Sequence, residues 1–152
     1  MENFFAMNLT EKEINAFSNL GLAHIGDGVY ELLCRSYLCA QGQHTVGQLH
    51  KETVQLVKAP TQARLMEKLL PHLAEQELSW YRRGKNAHVH AVPKGASPAE
   101  YAKATGLEAL FGALYLFLRG DLPAVGAFDT FTKMTTNLVR EMMERVAKGI
   151  EA

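Results

Sequence analysis

AKATGLEALFGALYLFL, residues 102–118, is the stretch on which the reading of this chain turns. Between Lys103 and Arg119 it carries one charged residue, Glu108. The rest is apolar nearly all the way round, the mark of a helix buried on every side. An unpaired carboxylate in such a helix costs on the order of several kcal/mol. Glu108 therefore needs a buried cation, a proton or a metal.

A second stretch has the same character. LAHIGDGVYELLC, residues 22–34, is apolar except for His24, Asp27 and Glu31. These fall on one helical face at i, i+3 and i+7. Gly26 and Gly28 flank Asp27, and a glycine costs a helix interior roughly 1 kcal/mol against alanine. They make sense where a backbone or a ligand approaches closely. The reading is that these two helices cross and that Asp27 and Glu108 meet around a divalent cation. Carboxylates are hard oxygen ligands suited to Mg²⁺, with Mn²⁺ as an alternative, and Mg²⁺ commonly takes only one or two of them. Such a cation neutralises charge on a phosphodiester under attack by water. The competing reading is a pair of structural ion pairs, which also occupy such places. Glu31 either serves a metal-bound water or, as the simpler reading, pairs with a base from a neighbouring helix. His24 reads as a packed or interface histidine. No serine–histidine or cysteine–histidine pairing argues for covalent catalysis.

Outward from these helices the signals are caps and breaks. Thr10 with Glu13 and Thr45 with Gln48 form capping boxes, and Ser97, Pro98 and Glu100 give a third helix start. Gly21 is expected to end the first helix near Leu20. Helices follow over about 22–40, 45–58, 60–71 and 74–83, then the central one, which Gly120 closes. A last helix is expected from Asp121, with Phe128, Leu138 and Met142 at helical spacing. No stretch alternates with period two, so the expectation is an all-α helical bundle of about seven helices. The 152 residues make one domain, its core about 20–148. Phe4 and Phe5 belong to a short arm that could tuck onto it.

Formal net charge is zero, but its distribution is uneven. Residues 1–34 hold Glu2, Glu11, Glu13, Asp27 and Glu31 against Lys12 alone. Residues 78–99 hold no acid, but Arg82, Arg83, Lys85 and Lys94, with His88 and His90. An acidic centre and a basic stripe on one small domain suit a polyanion held beside a metal. Arg82, Arg83, Lys85, Asn86 and Lys94 are the candidate phosphate contacts. The simpler reading is a solvated helix end complementing its dipole. Trp80 and Tyr81 read as core anchors. No zinc-site partner accompanies His88 and His90. No single-strand-binding pattern is present, so a double helix gripped by shape suits the stripe better. Cys34 and Cys39 face different ways and are expected to be reduced, as in a cytoplasmic protein. No signal peptide is expected, since the N-terminus has no basic region or long apolar run, and residues 109–118 are too short to cross a membrane.

With these residues in hand the chain resembles the ribonuclease III catalytic-domain family. HIGDGVYELL (24–33) is similar to its signature segment, ATGLEALFGALYL (104–116) to its second acidic segment, and LHKETVQLVKAPTQA (49–63) to the helix-turn between them. With RRGKNA (82–87) the domain resembles Mini-ribonuclease III, the short bacterial form, and no double-stranded-RNA-binding domain is expected to follow. The resemblance implies a homodimer that holds double-stranded RNA in a valley, one Mg²⁺ site per protomer, products with 5′-phosphate and 3′-hydroxyl ends, and precursor 23S ribosomal RNA as substrate. It implies that Asp27 and Glu108 are the catalytic metal ligands. Two positions depart from the larger enzymes: Ala23 stands where they have a glutamate and Thr105 where they have an aspartate. These losses leave open one metal or two, and motivate an alternative, a non-catalytic duplex-RNA-binding or ribosome-assembly module.

Overall fold

The structure, a computed structural model, describes residues 9–42, 45–87 and 91–120, with side chains as far as Phe117. Its helices are α1 (Glu11–Asn15), α2 (Asn19–Gln41), α3 (Val46–Val57), α4 (Ala59–Leu69), α5 (Glu75–Lys85) and α6 (Pro98–Gly120), with a 3₁₀ turn at Leu70–His72. Among the described residues every regular element is a helix, so the all-α expectation holds. The helix expected from Asp121, the arm with Phe4 and Phe5, and His88 and His90 lie outside the described residues.

The middle of the bundle is α6. Leu107, Ala109, Leu110, Phe111, Ala113, Leu114 and Leu116 are all buried, as its continuous apolar run requires. It packs most heavily against α2 and α5, then α4. Two close crossings set its position. A methyl group on Gly26 of α2 would lie 1.5 Å from the Glu108 carbonyl oxygen, and one on Gly112 of α6 would lie 2.0 Å from the Leu22 carbonyl oxygen. On the α5 side, methyl groups on Gly84 and Gly106 would meet Thr105 and Tyr81, each 2.5 Å away. Only glycines let these backbones approach so closely. Gly28 differs from the reading that paired it with Gly26: nothing lies within 4 Å of its missing side chain, because it points away from α6.

The caps behave as their sequences dictate. Thr10 and Glu13, Thr45 and Gln48, and Ser97 and Glu100 each exchange side-chain to backbone hydrogen bonds at the starts of α1, α3 and α6. At α5 the Glu77 carboxylate accepts from the Ala74 N–H at 2.6 Å. Gly21, expected as a breaker, lies inside α2 instead. The first helix stops at Asn15, and the Ser18 hydroxyl accepts from the Gly21 N–H at 2.9 Å, starting α2 earlier. A serine cap outweighs the weak helix preference of a glycine in the first turn.

Polar contacts tie the outer helices down. The Tyr30 hydroxyl donates to the Leu56 carbonyl at 2.8 Å, joining α2 to the end of α3. The Trp80 indole N–H donates to Asn15 Oδ1 at 3.0 Å, and Lys103 pairs with Glu67 at 2.6 Å between α6 and α4. Trp80 and Tyr81 are core anchors, both buried. Cys34 is buried and its thiol is pushed up to about 12, chiefly by desolvation, so it packs as an inert group. Cys39 is exposed and both thiols are free. Among the described residues no helix is long and apolar enough to cross a membrane.

Candidate active site

The α2–α6 crossing determines what Asp27 and Glu108 can do. Because Gly26 sits against the Glu108 carbonyl, its neighbour Asp27 is carried to the same level of the bundle as Glu108. Glu108 is partly buried and Asp27 is exposed. Burial first, and the Asp27 charge second, push the Glu108 carboxyl up from 4.5 to about 7. Among the described residues neither acid forms an ion pair with a basic side chain. Among the described residues, then, no base relieves the repulsion between the two.

Gln62 of α4 completes this corner and is not an expected site residue. It is only 2% exposed, and its amide lowers the Glu108 pKa against the two upward influences. Even so, Nε2 finds no partner with proper hydrogen-bond geometry among the described residues. An orphaned buried donor costs about 1–3 kcal/mol. Its signal in the sequence is an amide standing in the apolar stripe of α4, with Leu65, Met66 and Leu69.

Two oxygen ligands of like charge, one open to solvent and one fixed by burial, with an orphaned donor behind, fit a hard divalent cation that keeps part of its water. Ala23 and Thr105 add nothing to the donor set. Both are buried, and the Thr105 hydroxyl donates to the Tyr101 carbonyl at 3.0 Å. Glu31 pairs with Arg35 at 3.4 Å, so its base lies one turn along its own helix and not on a neighbour. His24 is exposed, free of the core.

The basic stripe divides. Gly84 abuts Thr105, Gly106 and Ala109, which places the end of α5 beside the turn of α6 that bears Glu108. Arg82, Lys85 and Asn86 are exposed there, with the Lys85 ammonium 6.0 Å from the centre of the Tyr81 ring. Lys94 is exposed in a turn where Gly95 adopts φ of 88°. Arg83 points inward. Its Nε donates to Asn19 Oδ1 at 2.7 Å and its Nη2 to the Phe17 carbonyl, so it clamps the α1–α2 junction.

A helical bundle whose two longest helices cross to pair an aspartate with a partly buried glutamate, beside a basic helix end, is a nuclease domain in its construction. The chain belongs to the ribonuclease III family and is an endoribonuclease: the ribonuclease III domain matches residues 20–119. Its relatives are more particular still. A Mini-ribonuclease 3 from Symbiobacterium thermophilum is 47% identical over 97 residues, 64% of this chain and 75% of that one. The Mini-ribonuclease 3 of Clostridium tetani is 33% identical over 139 residues, 91% of this chain and 89% of that one. A Fusobacterium nucleatum protein solved by X-ray crystallography matches with a TM-score of 0.70 at 30% identity, over 84% of this chain and 95% of that one.

Proposed function

We propose that this endoribonuclease cuts double-stranded RNA with Mg²⁺ held by Asp27 and Glu108, and that it matures the ends of precursor 23S ribosomal RNA. The observation that carries the reading is the acidic pair itself: a partly buried carboxyl raised to about 7 beside a second carboxylate, with no basic side chain paired to either among the described residues. Asp27 and Glu108 hold the cation, which when bound supplies charge neutralisation at the phosphodiester and acidifies water. Burial fixes the Glu108 side chain. Asp27, open to solvent, is the ligand a phosphate can approach. Arg82, Lys85, Asn86 and Lys94 grip phosphates away from the scissile bond and add affinity without reading bases. Hydrolysis leaves 5′-phosphate and 3′-hydroxyl ends.

A homodimer supports a two-strand cut. On α2, His24, Gly28 and Leu32 recur at i, i+4 and i+8 on one exposed stripe, and Leu32 is 65% exposed. An exposed leucine beside a glycine with no side chain leaves room for a second copy of the chain to pack there.

The test is a denaturing gel of end-labelled duplex RNA with Mg²⁺, with Ca²⁺ and a Glu108→Gln variant alongside. Discrete products with Mg²⁺ alone, lost in the variant, are expected. Full cleavage by the folded variant removes Glu108 from the chemistry. Precursor 23S RNA run beside an unrelated duplex of equal length tests the substrate, with preferential cleavage of the precursor expected.

A further inference from the structure

The unexplained atom in this corner is Gln62 Nε2. Gln62 is buried on α4 among Ala63, Leu65, Met66 and Leu69, all apolar and buried. A methionine would fill the same space without an orphaned donor. Buried polar atoms left unpaired in a native fold call for a reason. Here the orphaned amide lies close enough to Glu108, a partly buried carboxylate of α6, to act on it as a hydrogen-bond donor, yet Nε2 makes no hydrogen bond of proper geometry among the described residues.

We propose that Gln62 is a positioning residue for the cation site: its Nε2–H closes onto the outer oxygen of Glu108 when that carboxylate holds the cation, fixing which oxygen faces the metal. The inference rests on the Asp27–Glu108 cation site described above. Carboxylate ligands depend on such partners to present the correct oxygen, and loss of one typically weakens metal binding about 10–100-fold. With two carboxylates in this site, Gln62 on a third helix is placed to hold Glu108 in position.

The experiment reads Mn²⁺ affinity of the full chain without RNA, by electron paramagnetic resonance of free Mn²⁺ and by calorimetry. Gln62→Met, Glu108→Gln and the double variant are compared with the native protein, each first shown to melt cooperatively. Gln62→Leu replaces Gln62→Met if the methionine does not fit. Expected is a loss of about tenfold or more in Gln62→Met, a larger loss in Glu108→Gln, and no further loss on adding Gln62→Met to Glu108→Gln. Unchanged affinity in a folded Gln62→Met overturns the proposal. So does a loss of the same size in both backgrounds, which would mean that Gln62 acts independently of Glu108. If Glu108→Gln binds Mn²⁺ as tightly as the native chain, the cation site itself fails, and this inference with it.

Discussion

Neutralising Glu108 is expected to stabilise the metal-free fold at alkaline pH while it removes cleavage. Burial first, and the Asp27 charge second, raise this carboxyl from 4.5 to about 7. The unfolded chain gives up the proton near the ordinary carboxylate value, while the folded chain keeps it until about 7. Between those points the folded state binds more protons. Stability therefore falls as pH rises through the window, and the loss is complete above it. At roughly 1.4 kcal/mol for each unit, an ionised Glu108 destabilises the metal-free chain by about 3 kcal/mol at pH 8 and by less than about 1 kcal/mol at pH 5. Glutamine keeps the shape and drops the charge. In urea unfolding with EDTA, Glu108→Gln should exceed the native protein by up to about 3 kcal/mol at pH 8 and nearly match it at pH 5. Millimolar Mg²⁺ should narrow the gap at pH 8, because it binds the folded native protein and not the variant. An equal gain at both pH values would make the effect one of packing. No gain at pH 8 would mean that the carboxylate is not held in a costly environment.

The glycine crossing makes a sharper structural demand: Gly26→Ala puts a methyl 1.5 Å from a backbone oxygen, so a loss of about 3 kcal/mol or more is expected in thermal melts. Gly28→Ala meets nothing within 4 Å and should leave the protomer folded. On the same exposed stripe, Leu32→Glu should leave helicity by circular dichroism unchanged and shift light scattering to the monomer. For the basic helix end, Arg82→Ala with Lys85→Ala should weaken binding to all duplexes about equally and flatten the salt dependence without changing the melt. Arg83→Ala should instead lower the melting temperature, since it severs the contacts to Asn19 and Phe17.

The crossing of α2 and α6 was legible because it violates ordinary rules in plain view. A lone acid in an apolar helix and a glycine in the interior of another both need a tertiary reason, and each supplies the other's. The caps at Thr10, Thr45 and Ser97 were legible because their chemistry is local. What the sequence hid depends on contacts distant along the chain. Arg83 sits in a basic run whose composition does not separate a side chain reaching Phe17 from its exposed neighbours Arg82 and Lys85. Ser18 was masked by Gly21, since two local signals three residues apart compete and only the observed hydrogen bond shows which prevails. Gln62 shows in the sequence only as a lone amide in the apolar stripe of α4, and it is the α6 surface opposite that makes it unusual.

The site and the core are built from the same contact, and this explains why the acidic set can be small. The backbone approach of Gly26 to Glu108 brings Asp27 into range and also removes Glu108 from water, so pairing and desolvation come together. Each further carboxylate at that level would add repulsion in a poorly solvated place. Ala23 and Thr105 add no charge there: both are buried, and the Thr105 hydroxyl is satisfied by its own helix. The charge left to be relieved is then that of two carboxylates, which a single divalent cation can balance. A site of this charge should fold without metal and bind it afterwards, with Glu108 the group whose state the cation changes most.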